Sequence, residues 1–286
     1  MGKKLGSFSL ILLFAVFIAV IIGVIPRFRS PLDTFQLVFW TSIFIFVPMN
    51  FIYLFAKALG FRTKSTGSII ISLAAAVFFF GGLFLFLVSE VRMGFNTTLA
   101  ISMTAPLVFV LISPLFSKER ISAAKILAVV IFVGGAACVF YANGFVYTSS
   151  PLYLIYAFGA ALCWSLFSIL AFRTKTSIFV NVYIYMLVGL AAATVIMFIG
   201  SSFALPLFSD LWRLLLFGVL VAGTIYLWDG VYKLSGISFW GACIYILPSI
   251  LVIYDMIFHS GSVTTMGIIG LSVTGAAVLY RLSIKM

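Results

Sequence analysis

Residues 126–172 read ILAVVIFVGGAACVFYANGFVYTSSPLYLIYAFGAALCWSLFSILAF, 47 positions without one Asp, Glu, Lys, Arg or His. A bilayer crossing takes about 20 apolar residues, so the stretch is too long for one helix. The sequence marks where it divides. Asn143 and Gly144 supply a turn, and Thr148-Ser149-Ser150-Pro151 supplies a helix start. Two apolar helices joined by a short polar turn are the unit from which the whole chain can be built.

Composition carries that unit outward. Of 286 residues 64% are hydrophobic and 8% charged, with a mean hydropathy of +1.31, whereas soluble domains carry roughly a quarter charged residues. Ten crossings would take roughly 200 residues and leave loops and tails averaging about eight each. That arithmetic excludes a separate nucleotide-hydrolysing domain, an extramembrane enzyme domain and a disordered signalling tail. Charges and turn residues place the spans at 8–25, 35–56, 67–89, 94–116, 122–141, 151–172, 177–200, 210–231, 236–258 and 262–281. The runs are continuously apolar rather than alternating in period two, which favours a helix bundle over a barrel. Lys3 and Lys4 ahead of Phe8–Ile25 resemble a signal peptide, but the run is long and lacks a small-x-small cleavage site, so it is read as a retained first helix. The eighth span carries charge at both ends: Arg213 is expected to snorkel outward, and Asp229 to sit near the other interface with Lys233 at i+4.

The net charge of +11 reads as topology, not as a nucleic-acid footprint, because Lys and Arg punctuate apolar runs instead of gathering on one patch. With both termini cytoplasmic, the inside set is Lys3, Lys4, Lys57, Arg62, Lys64, Lys118, Arg120, Lys125, Arg173, Lys175, Lys233, Arg281 and Lys285, and the outside set is Arg27, Arg29, Arg92 and Arg213. Thirteen against four over short loops sets the orientation, and an even number of spans returns the C-terminus to the starting side. The expected location is a bacterial inner (plasma) membrane. Cys138, Cys163 and Cys243 all fall in apolar runs with no metal spacing, which makes them packing residues and not a disulfide framework.

Gly94–Phe116, GFNTTLAISMTAPLVFVLISPLF, aligns with Gly236–Phe258, GISFWGACIYILPSILVIYDMIF. Gly94/Gly236, Ala100/Ala242, Pro106/Pro248, Val110/Val252 and Phe116/Phe258 coincide, so two mid-helix prolines and two helix-starting glycines stand in register. Five spans separate the equivalents, so residues 146–286 would cross the membrane upside down relative to residues 1–145. The expected fold is therefore an all-α polytopic membrane protein, ten transmembrane helices as a 5+5 inverted-topology repeat within one integral membrane domain. Such repeats place substrate near the midplane between halves that rock for alternating access. Pro106 and Pro248 also admit a purely structural reading, since membrane helices tolerate kinks that serve packing alone. Each nevertheless frees a backbone carbonyl one turn earlier, around Ser102 and Ile244.

Thr104-Ala-Pro-Leu, Ser117-Lys-Glu-Arg-Ile-Ser and Gly134-Gly-Ala, together with Ala161-Leu-Cys-Trp-Ser-Leu-Phe-Ser and Phe172-Arg173, resemble the proline, glutamate-arginine, glycine and tryptophan motifs of the drug/metabolite transporter superfamily, in its EamA-like ten-helix branch. The resemblance implies a 5+5 inverted repeat, cytoplasmic termini, and carriage of small metabolites or amphiphilic compounds in a cavity between the halves. Two features depart from it: the first helix has Phe14 and Phe17 but no Trp, and the junction after the ninth span reads His259-Ser-Gly-Ser-Val.

Six acids and one His limit the chemistry. Glu119 fits a cytoplasmic turn, and Asp33 and Asp210 fit helix caps on outside loops. Glu90 ends the third span after a long apolar run, a place for a functional acid or an interfacial one. Asp255 and His259, at i and i+4, suit a proton relay or a helix-end pair. These three are the candidates for cation binding or proton coupling. Trp164 with Ser168 at i+4, Asn96 and Ser102 on the fourth span, and the deep Tyr226 and Tyr245 are the candidate substrate-binding residues, because aromatics supply contact area and hydroxyl or amide groups fix orientation. Gly189/Ala193, Gly218/Ala222 and Gly270/Thr274 read as close helix packing.

The expected function is secondary, ATP-independent transport or export of a small organic metabolite such as an amino acid or an amphiphilic or cationic compound. No Walker A sequence, no Gly-x-Gly-x-x-Gly and no His/Cys/Asp metal cluster occurs, so no cofactor or metal is expected and no enzymatic activity. The expected partners are a small-molecule substrate, membrane lipids and a coupled proton. The alternatives are an intramembrane lipid-modifying enzyme, which would need a nucleophile or paired acid and base, and a non-transporting scaffold subunit.

Overall fold

A computed structural model describes residues 32–60, 68–116, 122–142, 151–244 and 265–283. These form helices α1 (Thr34–Ala58), α2 (Ile69–Met93), α3 (Phe95–Ser102), α4 (Ala105–Phe116), α5 (Ala123–Ala142), α6 (Pro151–Arg173), α7 (Ile178–Gly200), α8 (Phe208–Ile244) and α9 (Thr265–Ser283). By length and composition, six segments of the described residues can cross a membrane: Phe35–Ala58, Ile69–Met93, Thr97–Phe116, Pro151–Arg173, Ile178–Gly200 and Phe208–Leu227. The first expected span, 8–25, and most of the ninth lie outside the described residues.

Large apolar side chains stand on the surface as well as in the core, more of them than a soluble protein exposes. Phe55, Leu115, Ile199 and Phe208 are exposed at 67%, 81%, 83% and 90%, while Ser72, Ser168 and Asn181 are completely buried. Apolar side chains facing outward, with small and polar ones at the contacts between helices, suit a lipid solvent. Among the described residues the structure is thus all helical, in keeping with an integral membrane protein.

The chain divides into two compact units, and each draws on both halves of the sequence. One comprises residues 1–84 and 170–234. In it α1 begins at a capping box: Asp33 Oδ1 accepts the Gln36 backbone N–H at 2.9 Å and Gln36 Oε1 accepts that of Asp33 at 3.0 Å. The Gln36 amide continues to the Ser202 carbonyl at 2.7 Å, and Trp40 Nε1 donates to the Ala204 carbonyl at 2.8 Å, so the start of α1 is tied to the chain leaving α7. Helix α1 packs on α7. The expected small-residue contacts are present here. A Cβ at Gly218 would lie 2.0 Å from the Phe44 carbonyl oxygen, and one at Gly189 would lie 1.8 Å from the Phe80 ring. Neither glycine can carry a side chain without a shift of its neighbour.

The other unit comprises residues 85–169 and 235–286. Helix α5 packs on α9, where a Cβ at Gly135 would approach Thr274 Cγ2 to 2.8 Å and the Gly270 carbonyl oxygen to 3.0 Å. Met93, Ile101 and Ala157 form a buried cluster covered by Tyr153 and Leu154. Helix α2 ends because Gly94 takes a positive φ of 79°, a conformation other residues avoid, and α3 starts at once.

One expected boundary is absent. The turn expected between residues 231 and 236 does not form, and α8 continues through it as a single helix of 37 residues. No proline interrupts that stretch, and one interior glycine costs only about 1 kcal/mol. Gly94 therefore starts a helix whereas Gly236 lies inside one.

Candidate functional site

The fourth expected span is discontinuous. Helix α3 stops at Ser102, Met103 and Thr104 form a turn, and α4 resumes at Ala105. Proline at 106 has no N–H to offer the Ser102 carbonyl, which is why the ladder cannot run through. The gap is closed by other bonds: the Met103 N–H reaches the Leu99 carbonyl at 2.8 Å, the Thr104 N–H reaches that of Ile101 at 3.0 Å, and Thr104 Oγ1 donates to the same oxygen at 2.7 Å. Ser102 is fully buried, and its hydroxyl has no hydrogen-bond partner among the described residues. Pro106 is buried in the first turn of α4.

Helix α6 holds this break from the side. Ser165 Oγ donates to the Ala105 carbonyl at 2.8 Å as well as to its own Ala161 carbonyl at 2.7 Å. One residue earlier, half-buried Trp164 lies against Phe86 with ring centroids 5.5 Å apart. Ser168 is buried and spends its hydroxyl on the Trp164 carbonyl at 2.7 Å, so it supports the helix instead of presenting a free donor. Beside the break opens a groove of about 470 Å³ lined by Ala100, Ile101, Thr104, Cys138, Tyr141 and Phe158, among others. Its walls are almost entirely apolar. Glu90 sits half-buried one turn before the end of α2 and belongs to the same unit.

The remaining candidates separate. Asn96 lies in α3, but its side chain is outside the description. Tyr226, on α8, is in the other unit; its hydroxyl is buried with no hydrogen-bond partner among the described residues, and its ring lies 5.8 Å from that of Phe179. Tyr245, Pro248, Asp255 and His259 lie outside the described residues, as does Glu119. The structure thus brings Ser102, Pro106, Trp164, Ser168 and Glu90 into one unit.

Sequence reasoning missed a second polar cluster, in the unit of residues 1–84 and 170–234. Ser72 on α2, Thr174 and Thr176 in the turn after α6, Asn181 and Tyr185 on α7, and Asp229 on α8 are all buried. Asn181 is the hub. Its Oδ1 accepts from Ser72 Oγ at 2.7 Å and from Thr176 Oγ1, and its Nδ2 donates to Thr174 Oγ1 at 2.5 Å and reaches Asp229 Oδ1 at 3.5 Å. Tyr185 lies beside Thr174 and within the field of the Asp229 carboxylate. Asp229 was expected near an interface with Lys233. It is 1% exposed, and α8 continues past it to Ile244. Asp33 and Asp210 lie at helix starts as expected: Asp33 caps α1, and Asp210 sits in the first turn of α8, 3.5 Å from Arg213, whose guanidinium lies over Trp212. Among the described residues no group of three or more His, Cys, Asp or Glu could hold a metal ion.

The described residues form apolar helices consistent with a membrane protein, and comparison with known proteins adds a likeness of fold. No protein-family model matches this chain, and no curated protein matches it in sequence. A crystal structure of another protein is similar over 98% of this chain and 97% of its own, with a TM-score of 0.78 at 17% identity. At that identity the likeness is one of fold.

Proposed function

We propose that the chain is a secondary transporter of a small organic solute, an EamA-like member of the drug/metabolite transporter superfamily. In this reading ten spans form a 5+5 inverted repeat, both termini are cytoplasmic, and the location is a bacterial inner membrane. The observation that supports it best is the break at Met103–Thr104 inside a candidate span. Irregular backbone at membrane depth is tolerated where it is buried in protein or lines a cavity. Discontinuous helices are a recurrent way of building solute sites in transporters, because they expose backbone groups that a continuous helix would spend on itself. Here the break frees the Ser102 carbonyl, leaves the Ser102 hydroxyl without a partner among the described residues, and sits beside the Trp164 helix.

Trp164 supplies an aromatic face at low entropic cost, and Ser102, in the same unit, supplies a polar group that orients the solute. Few charges stand in the spans, so multiply charged phosphate esters are poor cargo. An amino acid or an organic cation held over an aromatic face fits better. Glu90 is the candidate for holding a cationic group or a coupled proton.

The test is a metabolite screen by thermal shift on the purified protein, followed by flux of each stabilising compound in proteoliposomes without ATP. A ligand that binds the folded state raises its apparent stability. Carrier-dependent flux that saturates with the stabilising compound supports transport. A compound that is chemically converted points to an intramembrane enzyme, and stabilisation with no flux of any compound points to a scaffold subunit; either result overturns the reading.

A further inference from the structure

The groove beside the break is bordered by two apolar stripes that face away from the protein. Its wall includes Ala137 and Tyr141, the end of an exposed stripe on α5 that runs through Leu127, Val130 and Gly134 at alternating spacings of three and four residues. Phe158, also in the wall, belongs to an exposed stripe of α6 with Leu152, Ile155 and Leu162. In a bilayer, outward-facing apolar stripes of this kind meet lipid tails. The groove is therefore continuous with the surface that lipid covers. We propose that it seats one acyl chain of a bilayer phospholipid.

Charge, depth and size argue for that occupant. No charged residue lines the groove, and the one aliphatic hydroxyl in its wall, that of Thr104, is spent on the Ile101 carbonyl at 2.7 Å. A charged or strongly hydrogen-bonding molecule would lose its hydration there without recompense, whereas a hydrocarbon chain has none to lose. Thr104 lies nine residues past the start of α3, Val133 nine residues before the end of α5, and Phe158 seven residues past the start of α6. Those three helix ends share one side of the bilayer when successive spans alternate in direction. At the rise of an α-helix the groove thus reaches about 10–14 Å inward from that side. One leaflet's share of a hydrocarbon core about 30 Å thick is close to the same depth. Tyr141, at the end of α5, stands where an amphipathic ring meets the headgroups. The volume of about 470 Å³ is that of a small-ligand site, for which about 300–1,000 Å³ is usual. Ser102 is fully buried and is not part of this wall, so the chain would leave its hydroxyl untouched.

The proposal needs the helices to lie in a bilayer and does not need the chain to transport a solute. The test places the full chain in liposomes that contain a phosphatidylcholine with a diazirine at mid-chain, and maps the adducts after illumination by mass spectrometry. Leu187 on α7 and Val219 on α8, exposed apolar residues well inside their spans, are the reference for passing lipid. Adducts on Val133 and Phe158 should exceed those on the reference residues severalfold. They should also saturate as the probe's share of the lipid rises, while the reference adducts grow in proportion. Both readings are made on the unaltered chain. Ala137→Phe fills the exposed rim and should remove the groove adducts while the reference adducts stay as they were. Equal, unsaturating yields at the groove and the reference would overturn the site, as would groove adducts undiminished in Ala137→Phe. Groove walls that take up no probe, in chains that cross-link to one another, would overturn it too and make the groove a contact between copies.

Discussion

The Asn181 cluster and the break at Met103–Thr104 are both interruptions of an apolar helix bundle, and they solve opposite problems. Around Asn181 an irregular turn is buried and its hydroxyls are turned onto a single amide. At the break the backbone is repaired locally, but the Ser102 hydroxyl has no partner among the described residues and an apolar groove opens alongside. Where several hydroxyls share one amide, each of them loses by its removal. A buried polar atom without a partner costs stability and is tolerated where something else is gained. In the first region the polar groups are spent on one another, and in the second a buried hydroxyl is left over beside an apolar groove.

Substitutions can break that contrast. The largest effect is expected for Asn181→Leu, which strips Ser72, Thr174 and Thr176 of their common partner; unfolding in detergent should show a loss of about 3 kcal/mol. A loss no larger than that of a surface substitution would mean the cluster is not a cooperative network. Trp164→Ala comes next, with ligand affinity reduced by roughly 2 kcal/mol in titration calorimetry while the protein remains folded. Wild-type affinity would remove Trp164 from the cavity wall. Pro106→Ala restores an N–H opposite the Ser102 carbonyl and lets α3 run into α4. Flux in proteoliposomes should fall while the unfolding free energy changes by less than about 1 kcal/mol. Unchanged flux would make the proline a packing feature. Ser102→Ala is the smallest, within about 0.5 kcal/mol of wild type in stability, because the hydroxyl it removes has no described partner to disappoint. If Ser102→Ala were as damaging as Asn181→Leu, the two regions would not differ in the way described.

The same contrast separates what the chain discloses from what it hides. The spans were legible because a lipid solvent forces long apolar runs, and α1, α2, α5, α6, α7 and α9 begin or end within a few residues of the expected boundaries. Asp33 was legible as a cap because Gln36 follows it at the spacing of a capping box. Gly189 and Gly218 were legible as packing positions because small residues let membrane helices approach closely. Pro106 announced the break by its missing N–H. Asn181, Ser72, Thr174 and Thr176 were not legible, since each is a single polar residue in or beside an apolar run, and Ser72 lies 109 positions from its partner Asn181. Asp229 did stand out as an acid beside an apolar run, but its charge was assigned to a helix end that the structure does not have. The alternation of Thr174 and Thr176 around Lys175 was the one local signal that could have led to the cluster.

The proposed solute path along the broken span is tested most directly by a single cysteine at position 102. Ser102→Cys is made in a background lacking Cys138, Cys163 and Cys243, reconstituted, and exposed to a small thiol reagent with and without a saturating concentration of a compound that the protein transports. The labelling rate of residue 102 should fall severalfold when the compound is bound, because the cargo occupies the space beside the broken helix. Equal rates with and without the compound would contradict a solute path along the break.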